Sequence, residues 1–140
     1  MLPIKTAVLL ALTPVLLQTS TCEETPEPAG VEVGDIAVMV EACTYCHDSS
    51  GIATVVDENT LRIDEFTYDG AAPDAYIYLS TEGAPLTETG IPLSAMLTRA
   101  YEGETVTFDL PEGVTLADFD SITVYCVRFD EVFASGVFGE

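Results

Sequence analysis

The feature that most constrains the fold is a series of short β-branched segments, starting near residue 51 and repeatedly interrupted by glycine or proline. In residues 60–66, apolar Leu61 and Ile63 alternate with charged residues, the period of two that is typical of a half-buried strand. Gly and Pro between the segments end strands or set unusual backbone angles. Further strands are predicted at residues 52–56, 75–79, 105–110, 121–129 and 131–138.

Helical segments are scarce. Residues 93–100 are the one segment in this half with a helical pattern, and the apolar spacing in residues 31–42 fits either a helix or a buried strand. Regular strands without long helices between them indicate antiparallel pairing. We therefore predict an all-β fold, an antiparallel β-sandwich or barrel-like single domain with one short helix, over residues 31–140.

The N-terminus has the composition of an export signal. Lys5 precedes an apolar stretch at residues 7–17, so residues 1–21 are predicted to be a signal peptide and the mature chain to be secreted, periplasmic or on the cell surface. Residues 22–30 are rich in Glu and Pro and are predicted to form a disordered acidic linker. Cys22 directly follows the signal, which leaves a lipid anchor as an alternative; no membrane span is predicted in the mature chain.

Charge excludes several classes of function. The chain has 24 acidic against 4 basic residues and a formal net charge of −20. Nucleic acid is excluded as a partner, because phosphate binding requires clustered Lys and Arg, whereas a cationic partner is favoured. Hydrolase triads are not indicated, since the single histidine is adjacent to cysteine and no Gly-x-Ser-x-Gly motif occurs.

Cys126 lies in the most apolar predicted strand, in phase with Ile122 and Val124. If those two residues face the core, the thiol does too. A buried free cysteine behaves as a small hydrophobic residue, whereas an exported protein with four cysteines tends to pair them. Both interpretations stay open from sequence alone.

The sharpest short motif is Cys43-Thr-Tyr-Cys46-His47. This spacing matches covalent c-type haem attachment, in which both thiols add to the haem and the imidazole is an axial iron ligand. A second axial ligand would then have to be a methionine such as Met96 or be absent. Haem is therefore one cofactor hypothesis, with Cys43, Cys46 and His47 as its binding residues.

Three other interpretations of the same motif compete. Cys43 and Cys46 could form a dithiol exchange pair. One of them could instead bond Cys126, closing a loop of about eighty residues and stabilising the fold by about 4 kcal/mol. A zinc site built from Cys43, Cys46, His47 and Cys126 has suitable ligand types, although adjacent ligands make its geometry awkward.

Three stretches resemble the domain family called electron transfer DM-thirteen, over about residues 47–138: HDSSG, VVDENTLRIDEFTYDGAAPDAYIYLS and TVTFDLPEGVTLADFDSITVYCVRFDEVFASGVF. The resemblance implies a compact β-sandwich-like domain with a redox role centred on the cysteine of the penultimate strand, which is Cys126 here. It also implies that His47 occupies the ordinary histidine position of the family.

The leading hypothesis is an exported redox or electron-transfer module that uses Cys126, with Cys43 or Cys46 as the partner thiol and an extracytoplasmic redox or protein partner. One alternative is a non-catalytic extracellular binding or adhesion domain with structural disulfides, whose loops at residues 69–74 and 81–90 contact a partner. The other alternative is a c-type haem carrier.

Overall fold

The computed structural model describes residues 30–139, which form eight strands and one short helix. The predicted export signal, Cys22 and nearly all of the predicted linker lie outside this part of the chain. In chain order the elements are β1 Ile36–Glu41, β2 Ser50–Asp57, β3 Thr60–Tyr68, β4 Ala75–Ser80, α1 Leu86–Thr89, β5 Ile91–Pro92, β6 Tyr101–Asp109, β7 Ser121–Cys126 and β8 Glu131–Val137.

All eight strands belong to one curled antiparallel sheet with the order β5-β4-β7-β8-β1-β2-β3-β6. β1 joins the two halves, because its first four residues pair with β2 while Val40 and Glu41 pair with β8. Gly136 of β8 lies under this junction, where a Cβ atom would sit 2.6 Å from the Val38 carbonyl oxygen. The absence of a side chain there lets β1 pass close over β8.

The core is a single apolar cluster to which both halves of the sheet contribute. Leu61 and Ile63 of β3 are fully buried, as are Ile122 and Val124 of β7. The alternation predicted for β3 is thus confirmed, and so is the prediction of an all-β, barrel-like antiparallel domain with one short helix. Within residues 30–139, no helix is long and apolar enough to cross a membrane.

The predicted position of the helix is wrong. The helix is at Leu86–Thr89, and residues 93–100 form an irregular segment along the edge of β4. The amides of Leu93 and Leu97 donate to the carbonyls of Ile77 and Ala75, at 2.8 Å each. Leu93 and Leu97 are both buried, and their spacing of four residues is that of one face of a helix. Their amides, however, donate hydrogen bonds to the edge of β4 and not to a helix.

Two further boundaries differ from the sequence prediction. Residues 31–42, which fitted a helix or a strand, contain the strand β1. β7 ends at Cys126, three residues earlier than predicted, because Val127, Arg128, Phe129 and Asp130 form the turn to β8. Asp130 completes this reversal in the left-handed region, with φ of 49°. Asp is among the residues that tolerate that conformation best.

Candidate functional site: a turn disulfide beside a locked histidine

The connection between β1 and β2 carries the Cys-x-x-Cys-His motif. Cys43 and Cys46 are joined by a disulfide, hereafter the turn disulfide, with their Cα atoms 5.2 Å apart. That separation is ordinary for a disulfide. The Cys46 amide donates to the Cys43 carbonyl at 3.4 Å, so a one-turn reversal brings the two sulfur atoms together.

The two sulfur-bearing residues differ in exposure. Cys43 is exposed, whereas Cys46 is fully buried and its Sγ lies 3.7 Å from the Val132 carbonyl oxygen. Tyr45, between them, is 90 % exposed. Cys43 is therefore the residue of the pair that an external thiolate can approach.

Backbone hydrogen bonds fix this turn to the strand β8. The Ala42 amide donates to the Phe133 carbonyl at 2.8 Å, just before Cys43. Glu131, at the start of β8, is exposed and places a carboxylate oxygen within 4.8 Å of both sulfur atoms. The acidic side chain and the two sulfurs thus form one cluster, in which Cys43 and Glu131 are exposed and Cys46 is buried.

His47 is held in a single orientation. Its Nδ1 lies 2.9 Å and 3.1 Å from the two carboxylate oxygens of Asp69, and the Asp69 amide donates to the His47 carbonyl at 3.0 Å. Its ring packs against Phe133, with 4.6 Å between ring centroids. Because a carboxylate accepts hydrogen bonds, Nδ1 carries the proton in this pair and the free Nε2 is fixed in direction.

The backbone at this position is strained. His47 and Asp48 both have positive φ, at 62° and 50°. Two consecutive non-glycine residues in the left-handed region cost free energy that the surrounding contacts have to offset. The double hydrogen bond between His47 and Asp69 supplies such contacts.

Cys126 lies in a different environment. It is a free thiol, fully buried, in phase with Ile122 and Val124 as the sequence predicted. Tyr68 lies close to it: burial raises the pKa of the Tyr68 phenol, the hydrogen bond to the Ala72 carbonyl acts in the opposite direction, and Asp69 and Cys126 add to the rise.

Several sequence hypotheses are corrected by this arrangement. The long-range disulfide between Cys126 and Cys43 or Cys46 is not formed, because the latter two bond each other. The four predicted zinc ligands do not come together either. Among residues 30–139, the third potential metal ligand near Cys43 and Cys46 is Glu131. His47 is instead hydrogen-bonded to Asp69.

Covalent haem does not fit these residues. Thioether formation needs both sulfur atoms along an accessible edge of the porphyrin. Cys46 is fully buried, with its Sγ against the Val132 carbonyl oxygen. Met96, the candidate second axial ligand, lies in the irregular segment along the edge of β4, 42 % exposed. The geometry of the motif therefore disagrees with haem attachment.

Sequence reasoning missed Glu131 and Asp69 as parts of the site. Each is one of 24 acidic residues, so its type carries no signal. Asp69 precedes Gly70 in a predicted turn, and that turn brings it back to the β1–β2 connection. Glu131 is brought near the cysteines only by the pairing of β8 with both β1 and β7.

The sequence pattern of the family described as Electron transfer DM13 matches residues 43–137, which contain every site residue described above. The chain belongs to this family. The DM13 domain is a redox or electron-transfer module in general terms, which agrees with the expectation from the resemblance. Its matched region begins at Cys43, so the turn disulfide is inside the domain.

Two curated relatives carry a similar stretch. The isoforms B/C and D/E of Protein Skeletor from Drosophila melanogaster are each 40 % identical to this DM13 chain in an alignment 89 residues long that covers 59 % of this chain. The match covers 11 % and 6 % of the length of these relatives, so this chain spans a small part of them. No solved structure matches the chain.

Proposed function

We propose that this protein is an exported thiol–disulfide redox module in which the disulfide between Cys43 and Cys46 is the exchanging group. The observation that carries the proposal is the difference in exposure between Cys43 at the surface and Cys126 in the core. Thiol–disulfide exchange requires a sulfur that an incoming thiolate can reach. Membership of an electron-transfer family supports a redox role in general.

The exchange proceeds in two steps. A partner dithiol attacks the Sγ of Cys43 as a thiolate, the sulfur–sulfur bond breaks, and Cys46 leaves and takes up a proton. The second partner thiol then displaces Cys43 from the mixed disulfide. In this direction the partner is oxidised to a disulfide, and Cys43 and Cys46 gain two electrons and two protons; the same steps in reverse return the electrons to a partner disulfide of higher potential.

Electrostatics favour the disulfide form. The carboxylate of Glu131, within 4.8 Å of both sulfurs, disfavours thiolate anions and so gives the reduced pair no electrostatic stabilisation. We expect a reduction potential at or below about −270 mV, the value of thioredoxin.

The role that the family resemblance gives to Cys126 stays a prediction. Its burial separates it from solvent, so direct exchange at this thiol would require the strand β7 to open. We therefore assign exchange to Cys43 and Cys46. Export, the acidic linker and an extracytoplasmic partner with a cationic surface complete the proposal, supported by the composition of residues 1–30 and the net charge of −20.

The test is a redox titration of the full chain in a dithiol buffer, with thiols trapped by alkylation and counted by mass spectrometry. We expect one reversible two-electron step that Cys43→Ser removes and Cys126→Ala retains. Cys46→Ser, which leaves Cys43 as the lone thiol of the turn, should form a mixed disulfide with glutathione at Cys43, whereas Cys43→Ser should form none at Cys46. Resistance of the turn disulfide to dithiols, or loss of the step in folded Cys126→Ala, would overturn the assignment.

A binding function has one observation in its favour. A groove of about 230 Å³ lies beside the 81–90 loop, one of the two loops predicted to contact a partner. Thr81, Glu82 and Gly83 from this loop line it together with Ser135 of β8. In that case the turn disulfide is structural, and the same titration would find it unreactive while the protein is folded.

A further inference from the structure

The cluster of Cys43, Cys46 and Glu131 is arranged as a metal site once its disulfide is opened. The two sulfur atoms and a carboxylate oxygen all lie within 4.8 Å of one another. Two thiolates bound at about 2.3 Å to a tetrahedral zinc ion lie about 3.8 Å apart, so the two sulfurs, bonded to each other in the oxidised form, have to move apart after reduction and can do so within that limit. We propose that the reduced form of this protein binds a zinc-like divalent cation through the thiolates of Cys43 and Cys46 and the carboxylate of Glu131.

The type of ligand decides the class of cation. Two thiolates favour Zn²⁺ or its softer relatives over Mg²⁺ and Ca²⁺, which prefer oxygen ligands alone. The carboxylate of Glu131 favours a divalent ion over Cu(I). Zn²⁺ and its spectroscopic substitute Cd²⁺ are therefore the cations that the cluster fits best.

Charge also favours a cation at this position. Two thiolates and one carboxylate would carry three negative charges in a small volume, and Glu131 belongs to none of the ion pairs found among residues 30–139. A divalent cation would compensate most of that charge. The net charge of −20 raises the local concentration of cations around the whole molecule.

The backbone holds the three ligands before any metal arrives. Cys43 and Cys46 belong to one hydrogen-bonded turn, and the Ala42 amide ties that turn to Phe133 of β8. Glu131 begins the same strand and pairs with Cys126 in the sheet. Two strands and one tight turn thus fix the backbone positions of the three ligands, so that binding has to order only their side chains.

Access to the site is open on one side. Cys43 and Glu131 are exposed, so an ion can enter from solvent and water can complete the coordination, while Cys46 contributes its sulfur from the buried side. Binding is balanced by the release of one proton from each thiol. The disulfide has no thiolate to offer, so the oxidised form lacks two of the three ligands.

This inference deepens the proposed function, because a ligand that binds only the reduced pair changes its redox equilibrium. Zinc binding stabilises the dithiol by mass action. Each tenfold increase in free Zn²⁺ above its dissociation constant should therefore shift the equilibrium constant tenfold toward the dithiol, which raises the midpoint potential by about 30 mV. The site would couple the redox state of the domain to the supply of metal.

The experiment uses the full chain reduced with a phosphine under anaerobic conditions and titrated with Cd²⁺. We expect one equivalent to bind, with the ultraviolet charge-transfer band of cadmium thiolate, followed by competition with Zn²⁺. Glu131→Gln should weaken binding by about tenfold or more, since loss of even an outer-shell partner costs a metal site about that much. Glu58→Gln, an exposed acidic residue in the turn between β2 and β3, is the matched control and should change nothing.

Three results would overturn the inference: no charge-transfer band in the reduced protein, equal affinity of Glu131→Gln and the control, or loss of the band in folded Cys126→Ala. Cys43→Ser should abolish it. Failure of the proposed function is distinguishable, because phosphine reduction does not depend on exchange with dithiols. A turn disulfide inert to dithiols in a protein that binds Cd²⁺ after phosphine treatment would refute the exchange function and leave the metal site standing.

Discussion

Three cysteines in the described part of the chain lie in two contrasting environments. Cys43 and Cys46 form a bond in a surface turn, beside an exposed carboxylate and a locked histidine. Cys126 lies in the most buried strand, surrounded by aliphatic side chains and the phenol of Tyr68. In the proposed function, the solvent access of a sulfur atom therefore decides whether it can exchange with a partner thiol.

The largest expected difference between the two regions is in alkylation. After mild reduction, Cys43 should react with iodoacetamide at the rate of an exposed thiol, whereas Cys126 should react at least about a thousandfold more slowly, because it needs an opening of β7. Peptide-resolved mass spectrometry over a time course measures both rates.

Unfolded protein provides the control for this comparison. In denaturant the two cysteines should be alkylated at similar rates, since burial no longer separates them. Rapid alkylation of Cys126 in folded protein would contradict the contrast and restore that thiol as a direct exchange site.

A second test asks whether the core holds the turn in place. Phe133 is 2 % exposed, packs on the His47 ring and accepts the hydrogen bond of the Ala42 amide. Phe133→Ala should lower the free energy of unfolding by about 3–5 kcal/mol, through loss of buried area and the cavity left behind.

Tyr45→Ala is the matched aromatic truncation at the surface. Tyr45 is 90 % exposed within the same turn, so its removal should change stability by no more than about 0.5 kcal/mol. Denaturant unfolding compares the two variants. Similar losses in both would mean that the turn is not anchored through β8.

Much of the fold follows from the sequence. The alternation around Leu61 and Ile63 predicts a half-buried strand, which the structure confirms. Whether Cys126 is buried or paired stays open from sequence, and the structure buries it in a strand whose six residues are all buried. The predicted helix is misplaced because Leu93 and Leu97 have helical spacing, yet their amides bond the edge of β4. Local periodicity does not reveal which backbone donors a neighbouring strand will use.

The site is only half predictable. Cys43, Cys46 and His47 stand out as a motif, but Asp69 and Glu131 join them through turns and strand pairing between distant segments. The choice of disulfide partner also depends on the fold. The turn places Cys46 beside Cys43, while Cys126 is held in the β7 ladder between Ala75 and Glu131.

The smallest expected effect concerns Tyr125, next to Cys126 in β7. Its hydroxyl is hydrogen-bonded to Asp130 in the following turn, which together with burial and the charge of Asp130 raises the pKa of Tyr125 to about 12. A phenol with a raised pKa stays protonated longer in the folded state than in the unfolded state, where the ordinary value is about 10. Its contribution to stability is therefore complete below about pH 10 and lost as the pH rises through about 12.

Asp130→Asn should lower the pKa of Tyr125 toward 10. The titration is followed by phenolate absorbance, and Tyr125→Phe identifies which absorbance step belongs to Tyr125. Asp118→Asn, which changes another turn aspartate, is the control and should leave the pKa of Tyr125 unchanged. If Asp130→Asn leaves the pKa of Tyr125 unchanged, the turn after Cys126 opens in solution. The protection of the Cys126 thiol from alkylation should then fall as well.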